Sequence, residues 1–312
     1  MKPQKKKKSN HYCLIVNKSA TNYNSDAVKR MTKAIKQVGD SYTVFEPETA
    51  IKLLHTAERA AGIRKWHRQV PRSFLMRGKV SVLIACGGDG TVNLVGRAGL
   101  KGNLPVGILP MGKFNNIAKS TYKQWSLEYF IKTILNGESF KINCGIVSQQ
   151  PFFGSVGLFF TVAMQRQLAL QPISRFAFRW GQAAAKAIES VESKKLIIKI
   201  DAFRFEVTPS ILSINLLPYS VGLPMSDVSI ADDDVAEIIF DYNSDRKKIV
   251  QYVRQLYKKK YMYGSEVQLF RGQKVNIQPT KNEILYLDGE LIDVPNEMLE
   301  IEILPEKLKV IC

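Results

Sequence analysis

The sequence predicts an N-terminal α/β domain with a doubly wound sheet, followed by a C-terminal domain that is mostly β. Up to about residue 137, short apolar runs alternate with amphipathic, helix-like stretches, which is the pattern of a doubly wound α/β fold. Beyond Gly137 the chain becomes a series of short strands, and alternation such as Ile198-Lys199-Ile200 favours half-exposed antiparallel sheet. A length of 312 residues fits one large domain or two ordinary ones, and the change of pattern favours two.

In the first half, apolar runs mark the strands and amphipathic stripes mark the helices. The clearest helix follows the first strand, with Asn24 or Ser25 as its cap and Gly39 at its end. Strands are predicted at 12–16, 42–45, 82–85 and 104–109, and helices at 25–38, 49–66, 92–98 and from 117 onward.

The second half contains more strands than helices. Strands are predicted at 141–147, 152–162, 196–200, 203–207, 211–216, 237–242, 266–270, 274–277, 284–287 and 299–303. Helices are predicted at 174–191 and 246–258. The apolar stripe of the first is expected to pack in the core or in a lid, with a membrane-inserting face as the alternative.

The charge of the chain is strongly positive. It has 45 Lys and Arg residues against 28 Asp and Glu residues, a net charge of +17. Basic residues concentrate in the first eight positions and between Arg64 and Lys79, and such patches suit an anionic membrane surface or an anionic substrate. We see no helix-turn-helix, zinc-finger or RNA-binding signature, so we expect no nucleic-acid partner.

The cysteines, the histidines and the apolar runs of the sequence exclude several classes of protein. The four cysteines and three histidines are scattered, which argues against a zinc enzyme, a histidine-based triad and a disulfide framework, and indicates a reducing compartment. No apolar run approaches the roughly 18–20 residues that span a bilayer, and the N-terminal lysines do not begin a signal peptide. We expect a cytoplasmic protein attached peripherally to the inner membrane face. The oligomeric state is not determined by the sequence, and a homodimer is one option.

The segment Gly87-Gly88-Asp89-Gly90-Thr91 lies between an apolar strand and a helix. Glycines let the backbone approach an anion, and helix N–H groups hold it. Asp89 would repel a phosphate unless a cation lay between them, so we predict a magnesium-bound nucleotide with Asp89 as the metal residue. The P-loop lysine is absent, and Asn93 stands where the dinucleotide fingerprint has its third glycine. A tight turn without a ligand is the alternative.

A second polar loop, 110–116, follows the next strand. Both loops are then expected at the carboxyl ends of neighbouring strands, where sheets of this type bind ligands. Lys113 in this loop is a candidate phosphate ligand, although a solvated lysine is the alternative.

The order of the motifs resembles the diacylglycerol kinase catalytic family, which includes sphingosine kinases and bacterial lipid kinases. The motifs are Asn-x-Ser at 17–19, Gly-Gly-Asp-Gly-Thr-x-Asn at 87–93, Leu-Pro-x-Gly-x-x-Asn at 109–115, the acidic cluster 232–234 and Leu-Asp-Gly-Glu at 287–290. This resemblance implies an NAD kinase-like α/β domain at 1–140, to which 304–312 return, and a β-sandwich at 141–303. It also implies ATP and Mg²⁺ in the cleft between the domains, and a lipid substrate whose hydroxyl is phosphorylated.

The resemblance also assigns roles to residues. Asp89 would organise the metal, and Asp233 would act as the general base, with Asp232 and Asp234 as alternatives. The residues placed at the nucleotide are Asn17, Ser19, Gly87, Gly88, Asp89, Gly90, Thr91, Asn93, Gly112, Lys113, Asn115 and Glu290. For Glu290 the alternative is an acid beside a hairpin turn, because Asp-Gly is a favoured turn pair.

Several positions depart from the family pattern. Lys18 and Ala20 replace a Pro and a Gly, and Asp234 replaces a Gly after the expected base. In the second loop, Lys113, Phe114 and Asn116 replace a Thr, a small residue and an Asp. These changes leave open a nucleotide- or lipid-binding protein that has lost turnover, and a kinase of another lipid or of a soluble acceptor such as NAD.

Overall fold

The computed structural model describes residues 9–64, 79–170, 176–226, 232–242, 245–258, 260, 266–294 and 296–312, with 176–180 described by their backbone alone. The chain divides into two compact units. The first comprises Met1–Lys113, Thr121–Phe140 and Leu308–Cys312, and the second comprises Phe114–Ser120 and Lys141–Lys307. The short segment Phe114–Ser120, inside the predicted N-terminal domain, therefore packs with the second unit.

The first unit is built around a parallel sheet. Its elements are β1 (His11–Val16), α1 (Ser25–Gln37), β2 (Ser41–Phe45), α2 (Ala50–Ala60), β3 (Val82–Gly87), α3 (Asp89–Gly102), β4 (Val106–Pro110) and α5 (Leu127–Asn136). The strands lie in the order β2-β1-β3-β4, with Leu14 opposite Ile84 and Ala85 opposite Ile108. Every residue of β1 and β3 is buried, as expected for strands covered on both faces.

The helix α1 forms where its caps and apolar stripe predict it. The Asn24 side chain accepts hydrogen bonds from the backbone N–H groups of Asp26 and Ala27, and Gly39 has a φ of 81° beyond the last turn. Its buried face consists of Ala27, Val28, Met31 and Ile35. The cap at Asn24 is thus confirmed, and the stripe is confirmed except at its end, where Val38 was also expected but is 52% exposed.

The second unit begins with α4 (Asn116–Thr121) and continues as a mostly β structure. Its other elements are β5 (Ser139–Val147), β6 (Gln150–Phe152), β7 (Ser155–Phe159), α6 (Phe160–Ala169), α7 (Phe176–Ser190), β8 (Leu196–Ile200), β9 (Phe203–Val207), β10 (Ile211–Asn215), β11 (Tyr219–Ser220), β12 (Leu223–Pro224), β13 (Ala236–Asp241), α8 (Arg246–Tyr257), β14 (Val267–Gly272), β15 (Lys274–Gln278), β16 (Glu283–Leu287), β17 (Glu290–Val294) and β18 (Leu299–Ile311).

Two antiparallel sheets form the sandwich of this unit. One has the order β14-β13-β10-β7-β16-β17, and the other runs β18-β15-β8-β9. Apolar side chains of both sheets meet in one core, among them Val156, Ile214 and Leu285 from the first sheet and Ile198 and Val275 from the second. A second apolar cluster joins side chains of α6, α7 and α8 to the six-stranded sheet. The predicted antiparallel β-sandwich is confirmed.

The strand predicted at 152–162 is wrong in its last part. Phe159 takes a φ of 57° and ends β7, and α6 begins at Phe160. A continuous apolar run does not distinguish a buried strand from a buried helix, so the boundary between β7 and α6 could not be predicted from hydrophobicity. Other bounds also differ, and the largest differences are that α2 ends at Ala60, α3 runs from Asp89 to Gly102 instead of 92–98, and β18 continues to Ile311.

Most of the predicted basic surface lies outside the described residues, namely the N-terminal lysines and 65–78. At its edges, Arg64 lies 3.5 Å from Glu58 and Lys79 is exposed. Within the described part of the chain, none of the helices has the length and apolar character needed to cross a bilayer.

Candidate functional site

The glycine segment lies at the point where the first unit's strand order reverses. The connection through α1 takes the chain from β1 to β2 on one side, whereas β3 lies on the other side of β1. Sheets of this type bind ligands outside the strand carboxyl ends at such a switch point. Asn17 follows β1 there and Gly88 follows β3, so two of the predicted nucleotide residues lie at this crevice.

The first turn of α3 contains the acidic residue of the motif. Gly88 is the N-cap and forms no side-chain capping bond, and Asp89 is the first helical residue. Asp89 is 6% exposed, while Thr91 and Asn93 are also buried. The helix N-terminus carries a partial positive charge, which stabilises both the Asp89 carboxylate and an incoming anion.

The two glycine loops touch each other through their backbones. A Cβ atom on Gly88 would lie 2.9 Å from the Gly112 Cα, and one on Gly87 would lie 2.3 Å from the Thr91 Oγ1. Side chains at these positions would push the loops apart. The glycines thus let the two loops approach closely beside the N-terminus of α3, and we call this arrangement the cradle. Glycine loops at a helix N-terminus are a common setting for a bound phosphate.

Asparagine side chains fasten the loop after β1 to both glycine loops. The Asn17 Nδ2 donates to Thr91 Oγ1 over 3.0 Å, and its Oδ1 accepts from the Ser19 backbone N–H at 3.0 Å. Asn22 donates from its backbone N–H to Met111 O and from Nδ2 to Gly112 O, at 2.8 and 2.7 Å. Asn22 was not among the predicted residues, and its place in the polar loop after β1 was its one signal.

The two glycine loops, 87–91 and 110–116, carry one acidic residue, Asp89, and one basic residue, Lys113. Burial lowers the pKa of the Lys113 ammonium. The described residues contain no group of three or more His, Cys, Asp or Glu side chains placed to hold a metal. Asp89 alone fits a magnesium ion of the kind that takes one or two carboxylates, with phosphate oxygens and water as its other ligands.

The last residues of the second loop, 114–116, belong to the second unit, and Asn115 is the predicted site residue among them. Asn115 is buried with a φ of 53°. The Asn116 Oδ1 accepts from the Gly222 backbone N–H at 2.9 Å, and its Nδ2 donates to the Tyr286 hydroxyl over 3.3 Å. Phe114 is 4% exposed in the apolar cluster of this unit, where a Cβ on Gly222 would lie 2.7 Å from its ring. Phe114 and Asn116 thus help to build the second unit.

The acidic cluster is held by basic and amide partners within the second unit. The Asp233 Oδ1 accepts from Asn143 Nδ2 at 3.0 Å, and its Oδ2 forms an ion pair with Arg271. Lys307 forms ion pairs with both Asp232 and Asp234. The carboxylate predicted as general base is therefore engaged through both of its oxygens, and a substrate hydroxyl would compete with these contacts.

The Asp-Gly-Glu segment forms a two-residue hairpin turn between β16 and β17. Asp288 and Gly289 have φ values of 44° and 99°, as a primed turn requires. The Asp288 carboxylate is buried and accepts hydrogen bonds from the backbone N–H groups of Phe153, Gly154 and Ser155, at 2.7 to 2.9 Å. Asp288 was not singled out among the predicted site residues, although it lies within the predicted motif.

Glu290 follows the turn as the first residue of β17. The residue as a whole is exposed, but desolvation of its carboxyl group raises its pKa. The Gln165 Nε2 donates to the Gly289 carbonyl over 2.6 Å and so fixes the turn from the neighbouring helix α6. Glu290 thus has the hairpin position that was the alternative to a role at the nucleotide.

The architecture is thus a doubly wound parallel sheet with a glycine cradle at its switch point, followed by an antiparallel sandwich. Residues 11–147 match the model of the diacylglycerol kinase catalytic domain, and residues 160–312 match that of the YegS C-terminal NAD kinase beta sandwich-like domain. The chain belongs to the diacylglycerol kinase catalytic domain family. The resemblance predicted from the motifs is confirmed.

Solved structures with the same fold come from Bacillus anthracis str. Sterne. Two, described as putative diacylglycerol kinases, are 17% identical to this chain with TM-scores of 0.75 and 0.74. A third, described as a diacylglycerol kinase, is 15% identical with a TM-score of 0.72. Each match covers 98% of both chains. No curated protein matched the chain in a comparison of sequences. At these identities the structural likeness shows the fold.

Proposed function

We propose that this protein is an ATP- and Mg²⁺-dependent lipid kinase that phosphorylates a hydroxyl group of a diacylglycerol-like lipid. The observation that supports the proposal most is the cradle of Gly87, Gly88 and Gly112 at the N-terminus of α3. A Cβ atom on Gly88 would lie only 2.9 Å from the Gly112 Cα, so the close approach of the two loops depends on glycine at this position. The cradle suits a phosphate chain, and family membership supplies the kinase class.

The residues of the first unit have distinct roles in this proposal. The α3 N-terminus and the cradle bind the phosphates, and Asn17 keeps Thr91 in place through its 3.0 Å hydrogen bond. Asp89 would hold Mg²⁺, which supplies neutralisation of the phosphate charge when bound. The Lys113 ammonium would bind a phosphate oxygen directly.

The lipid hydroxyl must lose a proton during transfer, and a carboxylate of the second unit would accept it. Asp233 keeps this role in the proposal because of its place in the family pattern. Peripheral attachment to an anionic membrane, through the basic residues of the chain, would bring the enzyme to its substrate.

A transfer assay tests the proposal. Purified protein is incubated with labelled ATP, Mg²⁺ and a panel that contains diacylglycerol, other hydroxyl lipids and NAD. We expect label in a lipid, a loss of that label in Asp89→Ala, and full activity in Asp26→Ala, which removes an exposed acid from the first turn of α1. The lipid-kinase proposal would be refuted if the wild type transferred no more phosphate than Asp89→Ala. Transfer to NAD alone would show that the acceptor is NAD and not a lipid.

A second candidate is a nucleotide- or lipid-binding protein without turnover. The ion pair between Asp233 and Arg271 favours it, because the expected base is already occupied. Calorimetry with ATP and Mg²⁺ separates the two candidates. Binding without transfer to any acceptor supports this one, and measurable turnover excludes it.

A further inference from the structure

The strand β9 is an edge strand with an exposed apolar residue. Among the described residues it pairs with β8 on one side and with no strand on the other. Phe203, at its start, is 62% exposed, and the ring reaches Phe270 with a centroid separation of 6.3 Å. Unpaired edges are open to addition of another strand, and proteins usually protect them.

The hairpin geometry shows which backbone groups of β9 face outward. Asp201 and Ala202 form a two-residue loop closed by the pair Ile200 and Phe203. In such a hairpin the closing residues exchange backbone hydrogen bonds, and bonded residues alternate along the strand. Phe203, Phe205 and Val207 therefore bond to β8. The backbone N–H and C=O groups of Arg204 and Glu206 point away from it.

The side chains of these two residues make the edge complementary to itself. If a second β9 aligns antiparallel about Phe205, each Arg204 lies opposite Glu206 of the other strand. That register pairs the residues whose backbone groups face outward, so four intermolecular backbone hydrogen bonds form. It also places opposite charges across the junction twice, which stabilises antiparallel pairs.

Charged side chains often keep a second copy away from an edge strand. The charges of β9 do not act in this way in the antiparallel register, because the opposed side chains have opposite signs. Here Arg204 and Glu206 already form an ion pair of 2.9 Å within the strand, and Glu206 also pairs with Lys195. These pairs are exposed and exchange partners at little cost. The same register sets Phe203 opposite Val207 of the other copy, and this would cover part of the exposed ring.

We propose that β9 is a self-association surface, at which two copies of this chain pair antiparallel about Phe205. We identify the partner strand as β9 of a second copy, because β9 carries both residue types of the charge pair, Arg204 and Glu206, in the spacing that the antiparallel register requires. Five residues a side make a small interface, so the dimer is transient and forms with rising concentration. The proposal does not depend on the kinase activity.

Sedimentation velocity of the full chain tests the proposal. We expect wild-type protein to shift from monomer to dimer between about 1 and 100 µM. Arg204→Glu sets Glu against Glu at both junctions, and so does Glu206→Arg with two arginines. Each change is expected to weaken dimerisation by about tenfold or more. Lys247→Glu is the matched control, because Lys247 is an exposed residue of α8, outside the β8–β9 hairpin, and the change should leave dimerisation unchanged.

Mixing the two single variants gives the sharpest test. A copy with two acids and a copy with two arginines are complementary in this register, so an equimolar mixture should form a heterodimer although each variant alone stays monomeric. The double variant with both changes should dimerise like wild type. Wild-type protein that is monomeric throughout, a dimer that survives in Arg204→Glu, or a mixture that fails to associate would each overturn the proposal. Circular dichroism of each variant checks that it is folded.

Discussion

The Asn17 Nδ2 donates a hydrogen bond to Thr91 Oγ1 over 3.0 Å, and this bond ties the loop after β1 to the first turn of α3. Both residues are predicted nucleotide residues, yet the sequence separates them by most of the first unit. Because Thr91 is buried, we expect its hydroxyl to brace the cradle and not to contact a ligand directly. This relationship gives the first prediction.

Thr91→Ala should weaken ATP binding by about tenfold, since it removes one hydrogen bond that holds the phosphate cradle. Thr91→Ser keeps the hydroxyl and should bind ATP within a small factor of wild type. Calorimetry with ATP and Mg²⁺ measures both. Equal loss in the two variants would mean that packing of the methyl group matters and the hydrogen bond does not.

Gly88→Ala should lower the free energy of unfolding by about 1–3 kcal/mol, because the new Cβ meets the Gly112 backbone at 2.9 Å. ATP binding should be lost as the two loops separate. Gly181→Ala in α7 is the control: no atom lies within 4 Å of its added Cβ, and alanine should stabilise the helix by about 0.5–1 kcal/mol. Urea denaturation of both variants checks the opposite signs.

Lys113→Met should weaken ATP binding and stabilise the nucleotide-free protein. Burial lowers the folded-state pKa of Lys113, so its protonated form opposes folding at neutral pH, and methionine removes that cost. Nucleotide affinity of the wild type should fall as pH rises through this lowered pKa, below the ordinary 10.5, while the variant shows no such step. Calorimetry across pH measures this, and Lys33→Met, on the exposed side of α1, should behave like wild type.

Asp233→Asn should lower kcat by about 100-fold or more if Asp233 is the general base, with little change in KM for ATP. Asp232→Asn is its matched neighbour, since Asp232 pairs with Lys307 at the exposed side of the cluster. We expect that variant to keep its activity. Near-normal turnover in Asp233→Asn would show that its bond to Asn143 and its ion pair with Arg271 are structural, and that another group accepts the proton.

Asp288→Asn should lower the free energy of unfolding by about 2–3 kcal/mol, because an amide cannot accept all three backbone N–H groups that the carboxylate accepts. The exposed Asp293, on the adjoining strand β17, is the control and should tolerate the same change. Chemical denaturation measures both. A variant as stable as wild type would show that the turn is held by its backbone and by Gln165.

The sequence could predict structural features that depend on residues close together in the chain. The cap at Asn24, the strands β8 and β9, and the Asp-Gly turn each depend on residues within a few positions of one another, and all formed as expected or within a residue of it. The start of α3 at Asp89 could not be predicted, because the glycines there have a low helix propensity. The dipole of the whole helix, which includes distant residues, stabilises the acidic first turn.

Features that depend on distant contacts were not predictable. Phe114 departs from the family pattern in the second glycine loop, and its ring packs beside Gly222 in the second unit. Asp288 carries three backbone bonds from a segment that is far away in the sequence. Asn22 holds Gly112 in the same way. A single sequence does not show which distant residues will contact each other. It shows only that a polar or aromatic residue stands at an unusual position.

The strand β18 ends in the first unit, where Val310 pairs with Val106 of β4, whereas its earlier residues pair with β15 in the second unit. The parallel sheet therefore acquires this strand only after the ribosome has made the entire sandwich. A nascent N-terminal unit would carry β4 as an open edge throughout that interval, exposed to mispairing and to chaperones. The sheet that carries the glycine cradle is thereby completed only after residues 308–311 have been synthesised.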